Sequence, residues 1–271
     1  MIALLVAVAM MGGVLWSMQR RLIYFPDRAA PPPADAVLPG SRDVDVTTGD
    51  GLRLAAWLVP PREPPGRAAV LVAHGNGGHR RDRVALADAL SRRGLTVLVL
   101  GYRGYGGNPG APSEAGLALD ARAGWAYLIG AGFAPGRIIL FGESLGGGVV
   151  TGLAADLPDA GTRPGGLVLR SPFVSLAAVG RAHYPFLPVG ALLRDRYPVA
   201  EQLSRISVPT VVVYGTADTI VPPEQSRAVA DRAASLVAAV AIDGADHNDT
   251  ALAAGPATVD AVVTLADRLS D

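Results

Sequence analysis

The chain has 271 residues, half of them hydrophobic, enough for one large α/β domain with a well-buried core. Its formal net charge is zero and only 18% of its residues are charged, which leaves no basic footprint for nucleic acid. All 24 basic residues are arginine and cysteine is absent, which excludes Ser–Lys dyads, Schiff bases, P-loop lysines, thiol nucleophiles and thiolate metal sites.

Met1 to Met18 is almost wholly apolar. At about 1.5 Å per residue it would reach roughly 27 Å, near the lower limit for spanning a bilayer. Its start carries no positive charge and no A-x-A-like cleavage site follows, so residues 1–19 read as an uncleaved transmembrane or signal-anchor helix rather than a signal peptide. Trp16 fits an interfacial aromatic, and Arg20-Arg21 just beyond it gives a positive-inside vote for the following domain lying on the cytoplasmic side of the cell membrane, with the side left open. Residues 20–40, rich in proline (Pro26, Pro31 to Pro33, Pro39), are expected to be an extended, stiff linker.

The remainder, residues 41–271, reads as one α/β domain. Val44–Thr48 and Leu52–Val59 are expected strands around the Gly49-Asp-Gly51 turn. Strands and helices then alternate. Strand Ala69–Ala73 precedes a helix over Arg80–Arg93, and strand Thr96–Leu100 precedes a helix over Ser113–Leu128 with Ser113 as N-cap. Later strands fall at Leu167–Leu169, Thr210–Tyr214 and Val237–Ile242, with helices at Glu224–Ala234 and Pro256–Leu269. Continuous apolar strands separated by helices argue for a mostly parallel sheet covered on both faces. A long segment with mixed aromatics and prolines, about residues 174–207, reads as a small helical cap over the strand ends that helps shape an acyl pocket.

The chemistry centres on Ile138 to Val150. A β-branched run stops at Gly142, a small-residue helix begins after Ser144, and Gly142-Glu-Ser-Leu-Gly146 lies between. A serine at the apex of such a sharp turn needs tiny residues two before and two after it, and the turn aims the Leu145 N–H at the same space. The glycine-rich His74-Gly-Asn-Gly-Gly78 loop, after its own strand, can supply a second oxyanion donor, the Asn76 N–H. His74 precedes the glycines and is expected to brace that loop by hydrogen bonding; His79 reads as a surface residue and His183 lies in the cap. His247, just after the last strand, remains as the general base. Asp218, following the Thr210–Tyr214 strand, is the expected acid; Asp243 is second choice, and Asp246 adjoins His247 and is poorly placed to accept from its ring. The order Ser144, Asp218, His247 is that of α/β-hydrolases.

On these residues the chain resembles the α/β-hydrolase serine hydrolases of the Bem46 / ABHD13-like group. The likeness runs from Arg21 onward through Arg21-Leu-Ile-Tyr-Phe-Pro26, His74-Gly-Asn-Gly77, Tyr102-Arg-Gly-Tyr-Gly106 with Pro112-Ser-Glu114, the Ser144 turn, Ser171-Pro-Phe173, Leu192-Leu-Arg-Asp-Arg196, Asp218-Thr-Ile-Val-Pro222 and His247-Asn-Asp249. Gly101 stands where such proteins often carry Asp, and Asn108-Pro109 replaces a Ser-rich turn. The resemblance implies an α/β-hydrolase fold, a Ser144–Asp218–His247 triad, one N-terminal membrane anchor and hydrolysis of an acyl bond.

The expected activity is therefore cleavage of a carboxylic ester or thioester through an acyl-enzyme, with no cofactor and no metal. The expected partners are a small-molecule or lipid-like acyl substrate and a membrane, reached through the N-terminal helix. A serine aminopeptidase-like peptidase is the enzymatic alternative, with Glu143 as the nearest carboxylate for a substrate amine. A membrane-tethered binding protein without turnover is the non-enzymatic one.

Overall fold

The computed structural model describes Met1, Met10, Gly13 and residues 16–62, 68–157 and 162–269. Its centre is one eight-stranded sheet: β1 (Arg42–Thr47), β2 (Arg53–Val59), β3 (Ala68–Ala73), β4 (Leu95–Val99), β5 (Ile138–Glu143), β6 (Gly166–Arg170), β7 (Thr210–Gly215) and β8 (Leu236–Ile242). The order across the sheet is β8-β7-β6-β5-β3-β4-β2-β1. Only β2 runs against its neighbours; it forms the expected hairpin with β1, in which Thr47 faces Arg53. The other pairings are parallel.

Helices cover both faces, as the unbroken apolar strands require. Every residue of β3, β4, β6 and β7 is buried. Besides a one-turn helix at Ala34–Val37, the helices among the described residues are α1 (residues 16–23), α2 (Val84–Arg92), α3 (Glu114–Gly130), α4 (Leu145–Asp156), α5 (Leu176–His183), α6 (Val189–Leu192), α7 (Val199–Leu203), α8 (Pro223–Arg232), α9 (Thr250–Ala254) and α10 (Pro256–Arg268). One core lies under α3, α4, α7 and α8, with Leu117, Val150, Leu203 and Val229 against Leu71, Leu140 and Leu169. The second lies under α2, α9 and α10, with Leu90, Leu252 and Val262 against Val70, Ile139 and Val211. Each fully buried Val or Leu contributes about 1.5–3 kcal/mol. After β3 the chain steps to β4 on one side and β5 on the other, so a crevice opens at their C-terminal ends.

Residues 20–40, expected as a spacer, are instead docked on the domain. Arg20 Nε and one of its terminal nitrogens donate to the Asp195 carboxylate at 3.0 and 3.2 Å. The Tyr24 hydroxyl donates to Asp195 at 3.0 Å and shares a 3.0 Å hydrogen bond with the Tyr197 hydroxyl. Phe25 and Pro26 pair in parallel with Gly77 and Gly78. The Gly106 and Gly107 N–H groups donate to Asp27 O and Arg28 O. Its own N–H groups take part as well: those of Phe25 and Asp27 donate to Asn76 O and Gly78 O at 2.9 and 3.2 Å. Most of the expected anchor over residues 1–19 lies outside the described residues; among those, no helix is long and apolar enough to cross a membrane.

Gly101 and Asn108, the two departures from the family pattern, explain one another. A Cβ at Gly101 would lie 2.6 Å from Asn108 Nδ2 and 2.2 Å from Ala55 O. Asn108 accepts from Ala55 N–H and donates to the carbonyls of Ala55 and Tyr102, at 2.8, 3.2 and 3.3 Å. The amide fills the space a side chain at 101 would need.

Candidate active site

The Ser144 turn is built as its glycines demand. Ser144 holds φ 49° and ψ −113°, a strained conformation for a residue with a Cβ. A Cβ at Gly142 would lie 2.5 Å from Gly146 O, and one at Gly146 would lie 2.1 Å from Ala73 O. The strand and helix therefore approach closely enough to lift Ser144 to the crevice floor, where it is 8% exposed. Leu145 is the first residue of α4, where an N–H has no carbonyl one turn back to reach.

The His74–Gly78 loop meets this turn from β3. Asn76 is fixed through its side chain and its carbonyl: Nδ2 donates to Ile23 O at 2.9 Å, and the carbonyl accepts from Phe25 N–H at 2.9 Å and from the Tyr105 hydroxyl at 2.8 Å. The docked N-terminal segment thus holds the loop that carries the second expected oxyanion donor. Nothing in the sequence pattern revealed this, although Arg21–Pro26 and Tyr102–Gly106 are two of the motifs that carry the family likeness.

His74 braces the loop as expected. It is fully buried, Nδ1 lies 2.8 Å from Gly75 O, and the ring packs on Tyr102 and Tyr105 at 4.1 and 5.1 Å. Burial, helped by the positive Arg83, pushes its pKa down to about 3, so it stays neutral. His79 is not the surface residue expected: it is 6% exposed, packed under Gly106, and its N–H donates to Asp82. His183 lies on α5 with Nε2 2.8 Å from Ile220 O.

His247 and Asp218 come together from the loops after β8 and β7. His247 Nδ1 lies 2.7 Å from Asp218 Oδ2, and both side chains are buried. The other carboxylate oxygen accepts the N–H groups of Ile220 and Val221 at 3.0 and 2.7 Å. Burial pushes the Asp218 carboxyl up, but the His247 hydrogen bond and charge, with Val221 N–H, hold it below its ordinary value. Asp246 is occupied by Thr219 N–H and hydroxyl and by the His247 N–H, and Asp243 accepts from the Thr216 hydroxyl. Neither competes for the imidazole.

A buried charge network, absent from the sequence reading, underlies the pair. Glu143, one residue before Ser144, is held by two nitrogens of Arg83 and lies 3.3 Å from Arg170 Nη1. Burial opposes its charge, yet the two guanidiniums, Arg83 first, lower its pKa to about 2. Arg170, at the end of β6, is 1% exposed; its other terminal nitrogen donates to His247 O and its carbonyl accepts Ser144 N–H at 2.8 Å. One ion triad thus joins the strand bearing the serine to the loop bearing the histidine.

Two cavities meet at Ser144. One, of about 530 Å³, is apolar; the cap lends it Leu176, Val179, Leu187 and Leu192, and it also contains Asn76, Leu145 and Phe173. The other, of about 520 Å³, is polar and is lined by Arg83, Glu143, Arg170, His247 and Asn248. The cap expected over residues 174–207 therefore walls the apolar cavity rather than serving only as a connection. Among the described residues no cluster of His, Asp and Glu could hold a metal ion.

Known proteins fit this geometry. The serine aminopeptidase S33 family model matches residues 64–198. An uncharacterised Mycobacterium tuberculosis protein is 49% identical over 249 residues, covering 92% of this chain and 87% of its own. The chain belongs to the Bem46-like group of α/β-hydrolase serine hydrolases. Protein bem46 of Schizosaccharomyces pombe is 28% identical over 225 residues, covering 79% of this chain and 74% of its own. Lysophosphatidylserine lipase ABHD12 of Danio rerio is 34% identical over 183 residues, covering 61% of this chain and 47% of its own. An esterase structure from Pyrococcus furiosus shares the fold, with TM-score 0.72, 20% identity and coverage of 92% and 98% of the two chains. The chain is thus a hydrolase of this group.

Proposed function

We propose that this hydrolase cleaves a carboxylic ester or thioester of an apolar acyl chain. Ser144 attacks the carbonyl while His247 takes its proton. Asp218 fixes the imidazole tautomer and stabilises the imidazolium. The Asn76 and Leu145 N–H groups hold the oxyanion, where loss of one donor costs about 3 kcal/mol. His247 returns the proton to the leaving oxygen or sulfur, and water then releases the acid from the acyl-enzyme. The carrying observation is that Ser144 stands where the apolar cavity meets the polar one walled by His247. An acyl chain fits the first and a polar leaving group the second. That the zebrafish relative is named a lysophosphatidylserine lipase agrees with a lipid-like ester. The chain is held at a membrane by residues 1–19, and Arg20-Arg21 favours a cytoplasmic catalytic domain.

The peptidase alternative draws on the name of the matching family model. Its amine anchor, Glu143, is already neutralised between Arg83 and Arg170. A binding protein without turnover would have no use for the His247–Asp218 hydrogen bond. The test is a panel of p-nitrophenyl esters of increasing chain length beside aminoacyl-naphthylamides. The expected result is kcat/KM rising with acyl length and no amidase turnover; faster naphthylamide cleavage would overturn the ester reading, and no turnover of either would favour the binding protein.

A further inference from the structure

The mouth of the apolar cavity is ringed by large hydrophobic side chains that face water. Trp16, Leu22, Phe25, Tyr184, Leu187 and Ile220 all line the cavity and are all exposed, Leu22 at 64%. Beyond them, at the tip of the cap, Phe186 is 78% exposed, its ring edge-on to Tyr184 at 6.5 Å. Single exposed hydrophobics need no explanation, but a ring of them around one cavity marks an interaction surface.

Three observations choose the occupant. First, residues 2–15, which lead directly into Trp16 on this rim, contain no charged residue and are almost wholly apolar. Second, the cap tip suits an apolar medium in its backbone as well as its side chains. Of the six residues 184–189, Pro185 and Pro188 have no N–H, and the N–H groups of Tyr184, Leu187 and Val189 donate to Gly180, Tyr184 and Leu187 within the cap, which leaves the Phe186 N–H alone to be met by the headgroup region. Third, exposed arginines flank the ring: Arg21 beside Leu22, Arg181 one turn before the tip, and Arg194, whose guanidinium lies 4.7 Å over Trp16. Aromatics at the rim with cations behind them match the layering of a lipid interface.

We propose that this mouth rests on a lipid bilayer. The Tyr184–Leu187 tip and the outer face of α1 lie in the interface, and the apolar cavity opens into the acyl region. A chain-bearing substrate then reaches Ser144 from the membrane without crossing water. The proposal rests on the ester hydrolase reading only for what happens at Ser144; the docking stands apart from it.

The test uses the full chain mixed with phosphatidylcholine–phosphatidylglycerol vesicles and reads Phe186→Trp, since Phe186 does not line the cavity. Blue-shifted emission quenched by brominated acyl chains is expected, and also in a Ser144→Ala background, so that failed docking and failed chemistry read separately. Emission that stays at its water position, whether or not the chain floats with the vesicles, would overturn the proposal. So would a shift that follows protein concentration without lipid, which would mark a second copy as the occupant. In parallel, Phe186→Asp is expected to lower hydrolysis of a long-chain monoacyl ester dissolved in vesicles about tenfold while leaving p-nitrophenyl acetate turnover unchanged. Equal loss on both substrates, or loss on neither, would contradict it.

Discussion

Glu143 fills the variable position just before the nucleophile, where the turn tolerates many side chains, yet its carboxylate is clamped by two buried arginines. Removing one partner of a buried ion pair typically costs about 3–5 kcal/mol, because a charge is left without compensation. Glu143→Gln keeps the shape and deletes the charge, so a loss of that size is expected at neutral pH. The pH dependence has a definite sign. The folded pKa of about 2 lies below the ordinary 4.5, so the group's contribution is full above 4.5 and is lost as pH falls through 2. Guanidinium unfolding at a series of pH values should show Glu143→Gln losing stability less steeply than wild type across that window. Parallel profiles would mean that the triad is not coupled to folding. The same residue shows what the sequence hides: Arg170 lies 27 positions after Glu143 and Arg83 sits 60 before it, with no local pattern linking them.

At the scale of elements, three motifs of the family likeness form one assembly. Arg20 and Tyr24 bind Asp195, and Glu114, in the first turn of α3, accepts the N–H groups of Arg196 and Tyr197. Tyr197 holds φ 43°, so this junction is strained and needs its partners. Asp195→Ala should release the N-terminal segment. Hydrogen exchange is expected to speed up over residues 19–25 and 192–197 while β3 to β7 stay protected, and kcat should fall roughly tenfold or more as Asn76 loses its support. Unchanged exchange at both segments would contradict this account. The strands, the alternation with helices, the hairpin, the capping serine of α3 and the cap were legible, because period and turn chemistry are local signals. Ser113 does accept from Gly116 N–H at 3.1 Å. The docking of residues 20–40 was not legible: proline suppresses periodicity there, and Arg20 and Tyr24 find their partner 175 and 171 residues away. The burial of His79 is hidden from the sequence for a similar reason, since what covers it arrives from the Gly106 loop.

For the molecule as a whole, the sheet brings β3, β5, β7 and β8 to one end. The N-terminal segment and the cap wall an apolar cavity at that end, beside the polar one that the loops around His247 line. Spacing and chain order pointed to Ser144, Asp218 and His247; the cavities and the charged floor needed the fold. The chemistry depends on Ser144, and covalent capture reads its role. Wild-type protein and Ser144→Ala would be treated with a fluorophosphonate carrying an alkyl chain, and the adduct located by peptide mass mapping. A single adduct is expected on the peptide bearing Ser144, absent in Ser144→Ala. An adduct on another residue, or labelling that survives Ser144→Ala, would contradict it.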